Sequence, residues 1–372
     1  MTGRPGGASE TRRPPSGHEA LVIGPLPPPA HGASVVTAAV TGRLAATGRC
    51  VTVDTSVPGA GPGYHARRAA RHARAALAVV RHRRDARVYL TGVGGHALLY
   101  QLGIIAVCRA AGVPAVYHHH SYAYLTRRSR AMAALVRVGG PAVHHVTLSA
   151  GMAELLRRRY PRAVAGSVCS NVHFLPSPVA GRDEPARLAA RPPAPLRLGH
   201  LGNLTLDKGL GRVVDAFRSV RAAGLPAELH LAGPVADQAA GAVLRTALAE
   251  HPDVDYRGAL ARDEVPAFMR SIDVFLFPST YRNEAQPLVV LEALLEGVPV
   301  LALPVGCLAD LRDADGRPLP DAATFGPAVV ELARRRAAGD PALGPERTAA
   351  WARRQLADLG DAGPTFLELL HA

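Results

Sequence analysis

The sequence predicts an α/β protein of two doubly wound, parallel-sheet domains facing a central cleft. Three observations carry this. From Ala20 onward, short β-branched runs alternate with longer Ala/Leu/Arg stretches. A proline-rich segment interrupts the alternation near the middle of the chain, and beyond it the alternation restarts. At 372 residues the chain is also too long for one ordinary core and suits two.

Residues 1–18 are rich in Gly, Pro and Arg with no apolar core, so they read as a disordered tail and not as a signal peptide. The first domain, 19–173, holds candidate strands at 21–24, 50–54, 86–90, 114–119 and 144–149, with helical stretches between them. The segment 174–195 contains six prolines and mixed charge and reads as a linker. The second domain, 196–345, repeats the pattern through LRLGHLG, AELHLAG, VDYRG, DVFLFPS and VPVLALP. Residues 346–372 read as helices that pack back across the domains.

Cys50, Cys108, Cys169 and Cys307 are far apart and form no C-x-x-C pair, so neither a disulfide framework nor a zinc site is indicated. No apolar run reaches the roughly 18 residues a membrane span needs. These features point to the cytoplasm, with a peripheral place on the inner membrane face as an option. The net charge is +13, and it is unevenly placed: residues 60–165 carry seventeen arginines and no lysine against Asp85 and Glu154. Such a surface attracts a polyphosphate, nucleic acid or an anionic membrane; a solvated helix face is the plainer reading. No nucleic-acid recognition motif or aromatic interleaving accompanies the arginines, so nucleic acid is not an expected partner.

Asp273 to Leu303 reads as strand, loop, helix, glycine stop, strand. Pro287 suits the first turn of the helix and Gly297 its C′ position, giving a helix over about residues 287–296. That helix is apolar on nearly every side and yet carries Glu292, whose carboxylate needs a partner there. It either accepts hydrogen bonds from ligand hydroxyls, or caps a neighbouring helix or pairs with an arginine. Glu284 lies in the loop before the helix, facing the cleft. A second motif, GHLGNLTLDKGLGRVVDAF at 199–217, ends a strand in a Gly-rich turn and enters a helix from about Lys208. Glycine lets backbone approach phosphates, a helix N-terminus favours negative charge, and Lys208 adds a full positive charge.

Glu284 and Glu292 form an E-x7-E motif, and NEAQPLVVLEALLEGVPV resembles the signature of the retaining GT-B glycosyltransferases of family 4. The resemblance extends from Leu21 to about residue 340. It implies two Rossmann-like domains and a nucleotide-sugar donor held mostly by the C-terminal domain, UDP-sugar first and GDP-mannose next. It places Glu292 on the ribose hydroxyls, Glu284 near the donor sugar and Lys208 at the departing diphosphate. Gly202, Pro287 and Leu288 belong to the same donor-binding set. Where the family carries an arginine at the phosphates, this chain has Asn203, which supplies no charge; Arg212 or an N-terminal arginine is a candidate to compensate. Gly32, with Ala33 and Ser34, matches the family's N-terminal Gly-rich loop, with His31 in place of one glycine. His120, the last of His118-His119-His120, matches the histidine that reaches the donor sugar or acceptor hydroxyl.

Successive strand side chains point to opposite faces, so the three histidines are poorly placed to share one ion. Asp253-Val254-Asp255 and Asp313-Ala314-Asp315 imitate a metal-binding D-x-D but lie in a strand and a late loop, and no metal requirement is indicated. No cofactor is expected beyond the donor itself. Gly92-Val93-Gly94-Gly95 lacks the full G-x-G-x-x-G. The acceptor is left open between a glycan, a lipid-linked acceptor and a small natural product. A nucleotide-sugar epimerase of the same shape and a catalytically silent sugar-nucleotide binder are the competing functions.

Overall fold

A computed structural model describes residues 18–28, 31–57, 59, 61–163, 166–176, 195–359 and 363–371. The tail expected at 1–18 lies outside these residues except for His18, as does most of the 174–195 linker.

The N-terminal domain runs β1 (Glu19–Gly24), α1 (Gly32–Thr47), β2 (Cys50–Asp54), α2 (Tyr64–Arg81), β3 (Ala86–Gly92), α3 (Ala97–Ala111), β4 (Ala115–His119), α4 (Ala123–Thr126), α5 (Arg130–Gly139), β5 (Val143–Thr147), α6 (Ala150–Arg159) and β6 (Gly166–Val168). Its sheet is parallel in the order β2-β1-β3-β4-β5-β6, with Leu21 between Val51 and Val88. The C-terminal domain runs β7 (Leu196–Leu201), α7 (Leu210–Ala222), β8 (Ala227–Ala232), α8 (Gln238–Glu250), β9 (Val254–Tyr256), α9 (Val265–Ser271), β10 (Val274–Phe277), α10 (Leu288–Leu295), β11 (Val300–Ala302), α11 (Phe325–Ala337) and α12 (Pro345–Asp358). Its parallel sheet has the order β11-β10-β7-β8-β9. Each sheet reverses its winding once, between β1 and β3 and between β7 and β10. In a doubly wound sheet the crevice opens at the carboxyl ends of the strands flanking that reversal.

Two sequence expectations need adjustment. The helix expected from about Lys208 starts at Leu210, because Gly209 takes a left-handed φ of 97° and breaks the turn before it. Any Cβ at Gly209 would lie 2.5 Å from the Pro278 carbonyl oxygen, so this turn packs backbone to backbone against the end of β10. The helix expected at about 287–296 spans Leu288–Leu295, with Pro287 as its N-cap and Gly297 at a left-handed φ of 70° beyond its end.

After α12 the chain returns to the first domain. Gln355 bonds both the amide and the carbonyl of Val300 at 2.8 Å, fixing α12 along β11. A 3-10 turn at Thr365–Leu370 then inserts Phe366 beside Tyr89, His118 and Phe174, with ring centroids 5.8, 5.2 and 6.4 Å away. His371 closes the path through backbone and ring contacts with His18. Because Phe366 is fully buried in the N-terminal core, Phe366→Ala is expected to cost about 3–5 kcal/mol in urea unfolding of that domain. A loss under about 1 kcal/mol would mean that the crossing segment does not hold the domain.

Candidate active site

The two strand-end crevices face each other and form one cleft of about 550 Å³. From the N-terminal domain it is lined by His31–Ala33 after β1, Val93–Gly95 after β3, His120 and Ser121 after β4, Leu148 after β5 and Asn171 after β6. From the C-terminal domain it takes His200–Asn203 and Lys208 around the end of β7, and Phe277, Tyr281 and Asn283–Val289 after β10. Of the residues singled out in the sequence, Gly32, His120, Gly202, Asn203, Lys208, Glu284, Pro287 and Leu288 share this cleft. Glu292 does not line it, and neither does Arg212.

Lys208 and Glu284 are ion-paired through Nζ and Oε2. The lysine sits in the turn before α7, its amide donating to Thr205 Oγ1 at 3.2 Å, and its ammonium lies 4.7 Å from the centre of the Tyr281 ring. Glu284 is nearly buried, with the Ser279 hydroxyl 3.5 Å from the same carboxylate oxygen. Gly306, at a φ of 57°, lets its own backbone pass the Glu284 and Ala285 carbonyls where a Cβ would lie 2.4–2.5 Å away. The glutamate loop is thereby clamped from behind.

The first turns of α1 and α10 also reach the cleft, and a first helical turn carries amides without helical partners. They converge from opposite domains: a Cβ at Gly32 would lie 3.9 Å from Leu288 Cγ. His31 caps α1 through a capping box with Ser34, its Nδ1 accepting from the Ser34 amide at 3.3 Å. The imidazole thus replaces a loop glycine without leaving the helix end uncapped.

The histidine run divides as strand alternation requires. His118 bonds Tyr89 at 2.9 Å; His119 bonds Tyr124 at 2.8 Å and His145 at 3.1 Å; only His120 lines the cleft. Burial holds all of them below the usual imidazole range, His118 and His119 far below, His120 down to about 3 and His145 to about 4. His120 is therefore neutral at neutral pH. The two D-x-D imitations are tied up in ion pairs and turns: Asp253 with Arg221 at 3.2 Å, Asp255 with Arg257 at 2.9 Å, Asp315 with Arg335 at 2.9 Å, and Asp313 accepting loop amides. Among the described residues no group of three or more His, Cys, Asp or Glu is disposed to hold a metal ion.

Glu292 is paired with an arginine, one of the places the sequence left open to it. Its Oε1 lies 3.2 Å from Arg262 Nη2, in a smaller recess shared with Leu175, Pro176 and Val265. Burial raises its carboxyl above the usual range, and Arg262 pulls it back.

Asn171, His200 and Gln286 also belong to the cleft, although the sequence does not single them out. Gln286 is bonded across the domain boundary: its Oε1 accepts from the Asn171 amide at 2.7 Å and the Ser170 hydroxyl at 3.3 Å, and its Nε2 donates to the carbonyls of Leu148 at 3.4 Å and Leu359 at 3.3 Å. Asn171 follows β6, which the sequence does not announce; for His200 the strand-end position is the one available signal. The Gly92–Gly95 turn, an incomplete dinucleotide loop in sequence, lines the cleft for the same reason.

The buried imidazoles set a pH dependence. Unfolded, each titrates near 6.5; folded, His145 and His200 titrate near 4 and the others lower still or in the same direction. Between these values the unfolded chain binds protons that the folded chain refuses. Stability is full above pH 6.5 and falls as pH drops through the window from 6.5 to about 4. Glu292 and Asp310, both raised by burial, act in the opposite direction. A melting temperature that stays flat from pH 6.5 to 4.5 would contradict this.

Residues 195–335 match the family described as Glycosyl transferases group 1. Over 150 residues the chain is 33% identical to a 2-deoxystreptamine glucosyltransferase of Streptomyces kanamyceticus, a match spanning 39% of this chain and 37% of that one. The chain thus covers little more than a third of that relative's length. Similarity to solved structures spans both domains. HepE of Anabaena, crystallised with UDP-glucose, superposes with a TM-score of 0.62 at 16% identity, covering 95% of this chain and 98% of that one. Sucrose-phosphate synthase from Thermosynechococcus elongatus gives 0.64 at 15% identity over 94% and 96%. WaaG, a glycosyltransferase involved in lipopolysaccharide biosynthesis, gives 0.62 at 15% over 94% and 99%. At these identities the structural likeness establishes the two-domain GT-B fold, and the residues that match the family model lie in its C-terminal half.

Proposed function

We propose that this protein is a glycosyltransferase that moves a sugar from a nucleotide diphosphate to an acceptor hydroxyl, with retention at the anomeric carbon and without a metal ion. The observation that carries it is the meeting of Lys208, Glu284 and the start of α10 with the start of α1 and His120 across one interdomain cleft. A UDP-sugar is the favoured donor and UDP-glucose the leading case, because HepE is solved with it and the Streptomyces relative is a glucosyltransferase. GDP-mannose is next.

In the proposed reaction the anomeric C–O bond breaks and its electron pair passes to the diphosphate. Lys208 and the amides at the helix starts stabilise that charge. The acceptor oxygen forms its bond on the same face and gives its proton to a phosphate oxygen of the leaving group. Glu284 holds sugar hydroxyls, and neutral His120 orients the sugar. Glu292 keeps the ribose role as a proposal only if Arg262 yields it, and Asn203 donates a hydrogen bond where an arginine would have given charge. An epimerase would need no acceptor site, and nothing in the cleft favours it.

The acceptor remains a glycan, a lipid-linked molecule or a small natural product. A specific feature supports contact with an anionic membrane: α2, α3 and α5 pack side by side, and these helices expose Leu77, Leu99 and Val138 as well as Arg74, Arg81, Arg109, Arg130 and Arg137. Among the described residues no helix is long and apolar enough to cross a membrane. Co-sedimentation with phosphatidylglycerol vesicles at low salt is expected, and its absence would remove the membrane reading.

The transferase reading is tested first by thermal stabilisation against UDP-, GDP-, ADP- and TDP-sugars, where a ligand at 100 times its Kd adds about 2.7 kcal/mol. One nucleotide series is expected to raise the melting temperature. Lys208→Ala is then expected to lower kcat about 10²–10³-fold. Turnover within about threefold of the parent would overturn the role given to Lys208.

A further inference from the structure

Two nearly fully buried side chains of the cleft, His200 and Asn171, each keep one polar atom without a partner among the described residues: His200 Nε2 and Asn171 Oδ1. Their hydrogen-bonding sense is fixed by chemistry. His200 Nδ1 lies 2.9 Å from the Leu276 carbonyl oxygen, and a carbonyl only accepts, so Nδ1 carries the proton and Nε2 is left as a bare acceptor. Asn171 Nδ2 donates to the Gln286 carbonyl at 3.2 Å, which fixes its Oδ1 as an acceptor in the same way. A third atom, His120 Nε2, is buried in the same cleft and likewise has no partner among the described residues.

His200 stands on β7 of the C-terminal domain, its ring between Phe275 and Phe277 at centroid distances of 6.4 and 6.5 Å. β7 and β10 stop pairing after Gly199 and Phe275, so the imidazole takes over the next carbonyl of β10. Asn171 stands where the chain leaves the N-terminal sheet. The two acceptors therefore come from opposite sides of the domain boundary.

We propose that His200 Nε2 and Asn171 Oδ1 accept hydrogen bonds from hydroxyl groups of the ligand, so that these two residues read the sugar and not the diphosphate. This deepens the transferase reading and rests on it for the identity of the ligand. Ionised phosphate oxygens carry no proton and cannot satisfy a bare acceptor; a hydroxyl can, and comparing UDP with UDP-glucose tells the transferred sugar's hydroxyls from those of the ribose. Lys208 and the helix-start amides are donors and suit the phosphates, whereas the bare acceptors suit hydroxyls. Buried acceptors left unpaired also discriminate against a ligand that lacks the matching hydroxyl.

The test is calorimetry with UDP and with UDP-glucose on the parent protein, His200→Phe, His200→Gln and Asn171→Ala. Phe fits the aromatic layer but has no acceptor; Gln restores one. The expected result is that UDP binds all four alike, while the extra affinity of UDP-glucose over UDP falls about tenfold in His200→Phe and Asn171→Ala and survives in His200→Gln. An unchanged UDP-glucose advantage in both deficient variants overturns the proposal. Glucose alone, followed by saturation-transfer NMR, separates this from the transferase reading. If UDP does not bind the parent, that reading fails, yet a glucose saturation-transfer signal that disappears in His200→Phe and persists in His200→Gln still supports the hydroxyl-acceptor role. In that case, the absence of any glucose signal with the parent, or an equal signal with His200→Phe, overturns it.

Discussion

Gln286 uses both ends of its amide to join segments that belong to different parts of the fold. Its oxygen holds the Ser170–Asn171 exit from the N-terminal sheet, and its nitrogen holds Leu148 at the end of β5 and Leu359 at the end of α12. A buried amide satisfied on all sides is directional in a way that apolar packing is not. It therefore sets the position of the Glu284–Pro287 loop against both crossing points of the chain. The cleft's width follows, because Glu284 and the start of α10 cannot shift without breaking bonds to the other domain.

Topology supplies the rest of the geometry. Both sheets reverse their winding next to their first strand, β1 in one and β7 in the other. The loops at these reversals diverge and leave a crevice, and joining the domains with those crevices opposed makes one site from two half-sites. Neither half is complete: Lys208 and Glu284 come from one and His120 from the other. The acid-sensitive histidines stand at this edge as well. His118, His119 and His145 place neutral imidazoles bonded to tyrosines and to one another in the N-terminal sheet near the cleft.

Much of this is legible in the sequence because it is written in local pattern. Most strands follow from short apolar runs between helical stretches, β-branched in β1 and β2 and leucine-bearing in β7 and β8, and α10 follows from Pro287 and Gly297. β6 leaves no such trace, because Gly166–Val168 is three residues long with no β-branched run of its own. Local pattern also puts Lys208 inside its helix and not in the turn before it, since nothing nearby announces that Gly209 must adopt a positive φ to pass Pro278. Glu292 is recognisable as a buried carboxylate needing a partner, but Arg262 is thirty residues away and reaches it only through the packing of α9 beside α10. His200, Asn171 and Gln286 are illegible for the same reason. Their roles depend on which distant carbonyl meets which side chain, and that is a property of tertiary register.

The Lys208–Glu284 pair joins these threads. Placed without a partner in a partly buried cleft, either charge would be costly, and together they hold each other in position. In the proposed reaction Lys208 exchanges one carboxylate for the diphosphate, and Glu284 exchanges its cation for hydrogen bonds from sugar hydroxyls. A unit charge at ~4 Å in a protein of effective dielectric near 20 is worth about 4 kcal/mol, and a diphosphate offers more negative charge than one carboxylate. Lys208 can therefore transfer its interaction to the leaving group as charge builds there. Glu284, released from the lysine, gains free oxygens for sugar hydroxyls at the same moment. In that proposal one ion pair couples recognition of the sugar to stabilisation of the departing phosphate, and the Gln286 clamp keeps both partners within reach of the opposite domain.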